Sequence, residues 1–286
     1  MNDAQCFVRR HPNPAERVGA YLRQMPHARH RLGADAGDMT TTTPRQAVEA
    51  VQAHPLLPEG DDERFTGYGV MGVPFASGHY LALRDFVATS VGPAYRAIWH
   101  RDPQGRWTIH TTGAPELTCP RYFGSVTATA QVPSISVSWH DDHTLDVTLG
   151  DQLSWRIELQ ATPATRMMTT MGGMLPEAGW NSSSVLAAMG PMARTMLGTG
   201  RIRLHGATPN GPLFKAAPLQ VWRLAGAAAT YHGENLGEPG PLGRQTHLGD
   251  FWLPQRGIFF VGRARFTPAG EQVDRTVGAA GTTMGR

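Results

Sequence analysis

Charged residues are scarce in this chain, and lysine is almost absent. Of the 286 residues, 17% are charged, and Lys215 is the single lysine among 26 lysine and arginine residues. Nucleic-acid binding requires clustered cations, and the densest cluster here is the pair Arg9-Arg10. We therefore expect the chain to have no nucleic-acid partner.

Cysteines and long apolar runs are also few. Cys6 and Cys119 are far apart in the sequence and lack the Cys-x-x-Cys spacing of zinc and redox sites. Such sparse cysteine is typical of a reducing compartment. No window of about 18 residues is free of charged and polar residues, and the N-terminus lacks the apolar stretch of a secretory signal. The sequence thus predicts a cytoplasmic protein without a transmembrane segment.

Several familiar enzyme signatures are missing. The sequence has no Gly-x-Ser-x-Gly elbow, no Walker loop, no dinucleotide-binding glycine fingerprint after a strand and no His-Glu-x-x-His motif. These absences leave cofactor-free chemistry, an unusual metal site or binding alone. Because no predicted strand carries a His-x-His pair, we expect no metal and no cofactor.

Alternation of apolar and polar residues is the dominant pattern. It is clearest over residues 134–140, 145–149 and 153–159, which are separated by two tight turns. Parallel strands would need longer connections, so these three strands form an antiparallel meander. About eight to ten strands lie between Phe65 and Phe266, without a regular alternation of strand and helix. We predict an all-β-dominated fold, either an antiparallel β-barrel of the lipocalin (calycin-like) type or a sandwich.

The pattern differs at both ends of the chain and in one internal stretch. Capping boxes begin at Asn13 and Thr43, which predicts two short helices before the first strand. The last residues are rich in glycine and threonine. The predicted segments are a helical N-terminal strap over 1–62, an antiparallel β-barrel domain over 63–268 with a helical insertion at 163–200, and a flexible tail over 269–286.

The helical insertion is rich in methionine. Val185, Met189, Met192 and Met196 have helical spacing. Methionine is flexible and polarizable, which suits an irregular apolar ligand. The three methionines, together with Trp99, are therefore candidate ligand-binding residues, and the helix is a candidate lid over the barrel. Plain core packing is the alternative explanation of the same spacing.

Histidines on the predicted strands are candidates for proton transfer. His100 and His110 belong to the two strands of a predicted hairpin. If they lie on one side of it, they can share a pocket with Asp85 or Glu158, and imidazole with carboxylate is a general acid/base pair. The alternative is that each histidine is solvated or hydrogen-bonded within the sheet.

Two further candidates are a polar loop and the solitary lysine. Asp250 and Arg256 lie in one loop, where they either pair with each other or contact a polar group on a ligand. A desolvated Lys215 would form Schiff bases with carbonyl compounds, although most lysines near a turn reach water.

These features predict a protein that binds a small hydrophobic or amphipathic metabolite of secondary metabolism, such as a lipid, terpenoid or polyketide, in a β-barrel. In the enzymatic version, pocket histidines and carboxylates act in a cofactor-free isomerase, cyclase, hydratase or lyase. In the alternative, the chain is a non-catalytic carrier or an interaction module. A module would have its barrel filled by tryptophans, namely Trp99, Trp107, Trp139 and Trp155.

Overall fold

A long curled β-sheet organises the structure, which is a computed structural model describing residues 42–268. The strands are β1 (Glu63–Pro74), β2 (Tyr80–Thr89), β3 (Tyr95–Arg101), β4 (Trp107–Thr111), β5 (Ala128–Gln131), β6 (Ser136–Trp139), β7 (Thr144–Leu149), β8 (Leu153–Gln160), β9 (His205–Ala207), β10 (Leu213–Tyr231), β11 (Glu234–Asn235), β12 (His247–Leu248), β13 (Phe251–Trp252) and β14 (Ile258–Thr267). The helices are α1 (Pro44–Ala53), a 3₁₀ turn (Pro115–Leu117), α2 (Pro120–Phe123), α3 (Pro163–Met174), α4 (Glu177–Asn181) and α5 (Ser183–Leu197). The helix predicted after Asn13 and the predicted tail lie outside the described residues.

Within residues 42–268, ten strands form one hydrogen-bonded path in the order β5-β4-β3-β2-β1-β14-β10-β8-β7-β6. The neighbours are antiparallel, except that β4 and β5 are parallel. The prediction of a sheet-dominated fold is confirmed. The finer assignment to a lipocalin-type barrel is not, because β14 lies between β1 and β10 and interrupts the sequential strand order of an up-and-down barrel.

The segment 132–135 links the two ends of this path. It connects β5 at one edge directly to β6 at the other. The backbone N–H of Val132 donates to the Thr111 carbonyl on β4 at 2.9 Å. The Ile135 carbonyl accepts a hydrogen bond from Arg96 Nη1 on β3 at 2.9 Å. Because four residues span only a short distance, the sheet must curl until its edges approach, which gives it an inner and an outer face.

Large apolar side chains fill the inner face. Tyr68 on β1, Leu83 on β2, Trp155 on β8 and Phe259 on β14 belong to one buried cluster. Strands from both halves of the path contribute to this cluster, so it lies inside the curl. Removing this much apolar surface from water is the dominant stabilising contribution to such a fold.

The outer face of β1–β3 carries a second cluster, rich in aromatic residues. Because side chains alternate along a strand, Tyr80, Arg84 and Phe86 on β2 lie on this face, opposite Leu83 and Asp85. Helix α2 and the segment 242–253 cover the cluster with apolar side chains. The cluster is therefore enclosed between the sheet and these covering segments.

Glycines in β1 allow β2 to pack unusually close. A Cβ atom at Gly67 would lie 2.0 Å from the Asp85 carbonyl oxygen, and one at Gly69 would lie 2.1 Å from the Leu83 carbonyl oxygen. Gly67, Gly69 and Gly72 have the spacing of a dinucleotide fingerprint, but they lie inside a strand rather than in a strand-to-helix turn. Their role here is close strand packing, which fixes the positions of residues 83–85.

Capping residues account for the helices. Thr43 forms the predicted capping box of α1 with Gln46, and the side chain of Ser182 accepts from the Val185 backbone at the start of α5. The helices α3, α4 and α5 occupy the predicted insertion. The buried face of α5 consists of Leu186, Gly190, Ala193 and Leu197. None of the helices in the described part of the chain is long and apolar enough to cross a bilayer.

Candidate ligand-binding site

A cavity lies within the aromatic cluster on the outer face of the sheet. Its volume is about 70 Å³, whereas a single water molecule needs roughly 10–15 Å³. We call it the Arg84 cavity, because Arg84 is the charged side chain buried in its wall. Other lining residues are Met71, Phe86, Tyr95, Trp99, Cys119, Tyr122, Phe123, Phe214, Ala216, Phe251, Phe260, Ala264 and Phe266.

The covering segments are fixed by polar contacts outside the cavity. Tyr122 on α2 stacks on Phe266 of β14 with ring centroids 3.8 Å apart, and its hydroxyl donates to Glu63 at 2.5 Å. The Tyr80 hydroxyl donates to the Pro254 carbonyl at 2.7 Å, just beyond β13. These bonds hold the cover in place, so the cavity is largely preformed.

Arg84 is the most unusual residue of the site. Its side chain emerges from β2 into the aromatic cluster, and the residue is only 5% exposed. Its Nη1 atom donates to the carbonyls of Val70 at 2.6 Å and Leu83 at 2.8 Å. Nη2 makes a longer bond of 3.4 Å to the Met71 carbonyl. The backbone of β1 and β2 therefore satisfies part of the guanidinium.

No carboxylate among residues 42–268 forms an ion pair with Arg84. Aromatic rings surround the guanidinium instead, with its Cζ atom 5.1 Å from the Trp99 ring, 5.9 Å from Phe251 and 5.6 Å from Phe260. Burial lowers the pKa of Arg84, but an arginine keeps its charge in proteins. The cavity wall thus contains an unneutralised positive charge.

Besides Arg84 and Arg263, the polar side chains that line the cavity are Trp99, Tyr95, Cys119 and Tyr122, and they are uncharged. The Trp99 indole N–H is buried without a hydrogen-bond partner. Tyr95 and Cys119 form a contact of 3.4 Å between hydroxyl and thiol. Burial raises the pKa of Tyr95 and of Cys119, so both stay protonated at neutral pH. The wall therefore presents hydrogen-bond donors and no negative charge next to Arg84.

The predicted catalytic residues lie away from this cavity. His100 and His110 are both buried, but alternation along β3 and β4 places them on the inner face, opposite Trp99 and Ile109. His100 Nε2 lies 2.8 Å from His79 Nδ1, and both ring nitrogens of His110 lack a partner. Burial lowers the pKa of His100 to about 4, with nearby histidines adding to the effect.

The carboxylates do not join these histidines. Asp85 is buried on the inner face, where it accepts from the Tyr68 hydroxyl at 2.6 Å and from Arg96 Nε at 2.7 Å. It pairs across the sheet with Arg96, four residues before His100 along β3. Glu158 is exposed on the other side of β8. The structure does not bring His100 and His110 together with Asp85 or Glu158, because Asp85 shares their face at a different register and alternation directs Glu158 to the other face of β8.

The structure does not pair Asp250 with Arg256, which is one of the two alternatives that the sequence leaves for this loop. Asp250 forms an ion pair with Arg203 and accepts from the Ala207 backbone N–H at 3.0 Å, while Arg256 is exposed. The loop still borders the site, because Phe251 follows Asp250 and lines the cavity. Asp250 therefore anchors the covering loop rather than facing a ligand.

The methionines of α5 lie beside the site rather than over it. Met189 is half-buried and lines a smaller space between α5 and the sheet, while Met196 packs half-buried against the same core. Met192 lines neither this space nor the Arg84 cavity. The two spaces share the wall residues Met71 and Phe260. Trp99, in contrast, lines the Arg84 cavity, and its role in ligand binding stays a prediction.

Lys215 takes no part in the cavity. Its Nζ donates to the Asn181 carbonyl at 2.7 Å, and its neighbours Phe214 and Ala216 on β10 line the cavity instead. Since this is the single lysine of the sequence, the Arg84 cavity has no lysine to form a Schiff base.

Sequence reasoning missed Arg84, although the sequence contains a signal for it. Tyr80, Ala82, Arg84 and Phe86 occupy alternate positions of one strand, and three of the four are apolar in character. A charge at an apolar position of a half-buried strand indicates a buried ion that needs a partner. Because Arg84 has no carboxylate partner among residues 42–268, its position marks a candidate ligand-binding residue.

No protein-family model and no curated protein matches the sequence. Among solved structures, the chain is similar to acetoacetate decarboxylase from Legionella pneumophila subsp. pneumophila str. Philadelphia 1. The sequence identity is 8%, the match covers 74% of this chain and 86% of that chain, and the TM-score is 0.32. A similarity of this size defines no family and supports no inference about function.

Proposed function

We propose that the chain binds a small, largely apolar organic molecule in the Arg84 cavity. The observation that carries this proposal is a cavity with an aromatic wall and a few polar groups, which is the usual composition of a small-molecule site. The cavity volume is smaller than the roughly 150 Å³ that holds a benzene molecule, so even a ligand of one aromatic ring requires a small movement of the cover. A lipid, terpenoid or polyketide of larger size would require a larger one.

Binding without acid/base chemistry is the version that the geometry supports. The histidines and carboxylates proposed as proton-transfer residues are directed to the inner face or to solvent. Tyr95 and Cys119 are held protonated by burial, so neither is a ready base at neutral pH. A carrier or sensor of a small molecule agrees with this arrangement better than a cofactor-free isomerase or lyase does.

Filling the cavity tests the proposal. Toluene is a suitable neutral probe, and its binding to the full chain can be measured by isothermal titration calorimetry. The variant Ala216→Leu adds three carbon atoms to the cavity wall, and we expect it to weaken toluene binding at least tenfold. Ala188→Leu makes the same change at an exposed position of α5 and should bind like the unmodified chain.

A second filling variant separates lost binding from lost folding. Ala264→Leu enlarges a different lining residue, and circular dichroism of both variants establishes that they are folded. Undiminished toluene binding in either folded variant, or no binding to the unmodified chain, would overturn the proposed function.

A further inference from the structure

Arg84 has more donors than the protein supplies acceptors. A guanidinium carries five N–H donors in a fixed planar arrangement. Three bonds to backbone carbonyls are present, and one of them is long at 3.4 Å. The described residues provide no acceptor for Nε or for the second hydrogen on Nη2. An apolar site can hold such a charge at low cost only when it is paired and hydrogen-bonded.

A second unsatisfied donor lies in the same wall. Trp99 is 2% exposed, and its indole N–H makes no hydrogen bond of regular geometry, although the Cys119 thiol lies beside it. Its ring is 5.1 Å from Arg84 Cζ. Buried N–H groups without partners are rare in native proteins, and Trp155 and Trp180 are further examples in this structure. What indicates an absent acceptor is the position of the Trp99 N–H beside a guanidinium with unused donors.

The rest of the wall does not compete for this acceptor. Arg263, at the edge of the cavity, is already paired with Glu177 at 2.9 Å. Tyr95 and Cys119 are neutral, the Tyr122 hydroxyl donates to Glu63, and the remaining neighbours of the cavity are apolar. An anion at Arg84 would therefore meet no negative charge within the cavity.

We propose that the ligand of the Arg84 cavity is a small monocarboxylate whose carboxylate binds Arg84 and the Trp99 N–H, while its apolar body contacts Phe86, Phe214 and Phe266. This inference rests on the proposed function, since it names the class of ligand for the same cavity. A carboxylate suits the site because it accepts paired hydrogen bonds from a planar guanidinium. The small volume favours one charged group with a compact apolar body over a larger ligand.

Benzoate and benzamide form a matched pair of probes, because they have nearly the same shape and differ in charge. We expect the full chain to bind benzoate at least tenfold more tightly than benzamide in titration calorimetry near pH 7. Arg84→Met keeps the length of the side chain and removes the charge, so it should abolish this preference while benzamide and toluene still bind. Arg166→Met is the matched control at an exposed position of α3 and should keep the preference.

Trp99→Phe provides a second measurement in case Arg84→Met does not fold. It removes only the unpartnered N–H and should reduce benzoate affinity severalfold with little change for toluene. Formate tests whether a bare anion suffices, and we expect it not to displace benzoate at equal concentration.

The outcomes distinguish the two proposals. If toluene binds but benzoate and benzamide bind equally, the carboxylate inference fails and the proposed function stands. Displacement of benzoate by formate or chloride at equal concentration would also overturn the inference, because it would make the site one for inorganic or bare anions. If neither toluene nor benzoate binds, both proposals fail.

Discussion

Buried charged side chains have different partners on the two faces of the sheet. On the inner face, the carboxylate of Asp85 is surrounded by the Tyr68 hydroxyl and Arg96. On the outer face, the adjacent residue, Arg84, has backbone carbonyls and aromatic rings but no counter-ion. Under the proposed function, consecutive residues of one strand serve stability and ligand binding separately.

Removing the Asp85 carboxylate, which binds the Tyr68 hydroxyl and Arg96 on the inner face, should produce the largest effect on stability. Asp85→Ala leaves the Tyr68 hydroxyl and half-buried Arg96 without their acceptor, so we expect a loss of about 3 kcal/mol in the free energy of unfolding. Urea denaturation measures it. Asp146→Ala removes the partner of Arg156 at a more exposed position and should cost at most about 1 kcal/mol. Equal losses in the two variants would contradict the assignment of Asp85 to a buried network.

Acid should lower the free energy of unfolding because histidines are buried on the inner face. Burial lowers the pKa of His100 to about 4 from an ordinary 6.5, and the pKa values of His79 and His110 are also lowered. The unfolded chain then takes up protons more readily, so stability is highest above about pH 6.5 and declines as the pH falls toward 4. His100 alone accounts for about 3 kcal/mol of this decline at most.

The pH effect can be assigned by substitution. His100→Gln should make the free energy of unfolding less dependent on pH between about 6.5 and 4. His143→Gln changes an exposed histidine and should leave the dependence intact. The same pH dependence in His100→Gln and the unmodified chain would show that His100 does not carry the effect.

Removing Arg84 should affect stability much less than removing Asp85. Arg84→Met loses hydrogen bonds to carbonyls but also removes a buried charge, and no carboxylate is left unpaired. We therefore expect a change of less than about 1 kcal/mol in the ligand-free protein, which urea denaturation can measure. A loss as large as that of Asp85→Ala would indicate that Arg84 is a structural residue.

The smallest effect is expected at Met192. This residue is half-buried and lines neither cavity, so Met192→Glu should lower stability by less than about 1 kcal/mol and leave toluene affinity unchanged. Leu186→Glu, which inserts a charge into the buried face of α5, should destabilise the chain by several times as much. Loss of toluene binding in Met192→Glu would restore the prediction that α5 is a lid.

Local patterns predicted much of the architecture. The alternation from 134 to 159 corresponds to strands β6, β7 and β8, and the capping box at Thr43 begins α1. The same alternation placed Glu158 on the polar side of its strand, where the structure has it. His100 and His110 share a face, which the sequence alone leaves open.

The location of the cavity could not be predicted from these patterns. Alternation along a strand shows which residues share a face. It does not show which face is covered or whether a cavity remains beneath the cover. That depends on the packing of β14 beside β1 and on the cover formed by α2 and 242–253, which are distant in sequence. Arg84 becomes a candidate ligand-binding residue only because this cover removes it from water and supplies no carboxylate.

Crystallographic anomalous scattering from 4-bromobenzoate bound to the full chain would test the central claim most directly. We expect one bromine peak inside the Arg84 cavity, near Phe214 and Phe266, with the carboxylate within hydrogen-bond distance of the Arg84 guanidinium. A peak at the inner-face histidines, or a molecule seated in the cavity with its carboxylate turned away from Arg84, would contradict the account.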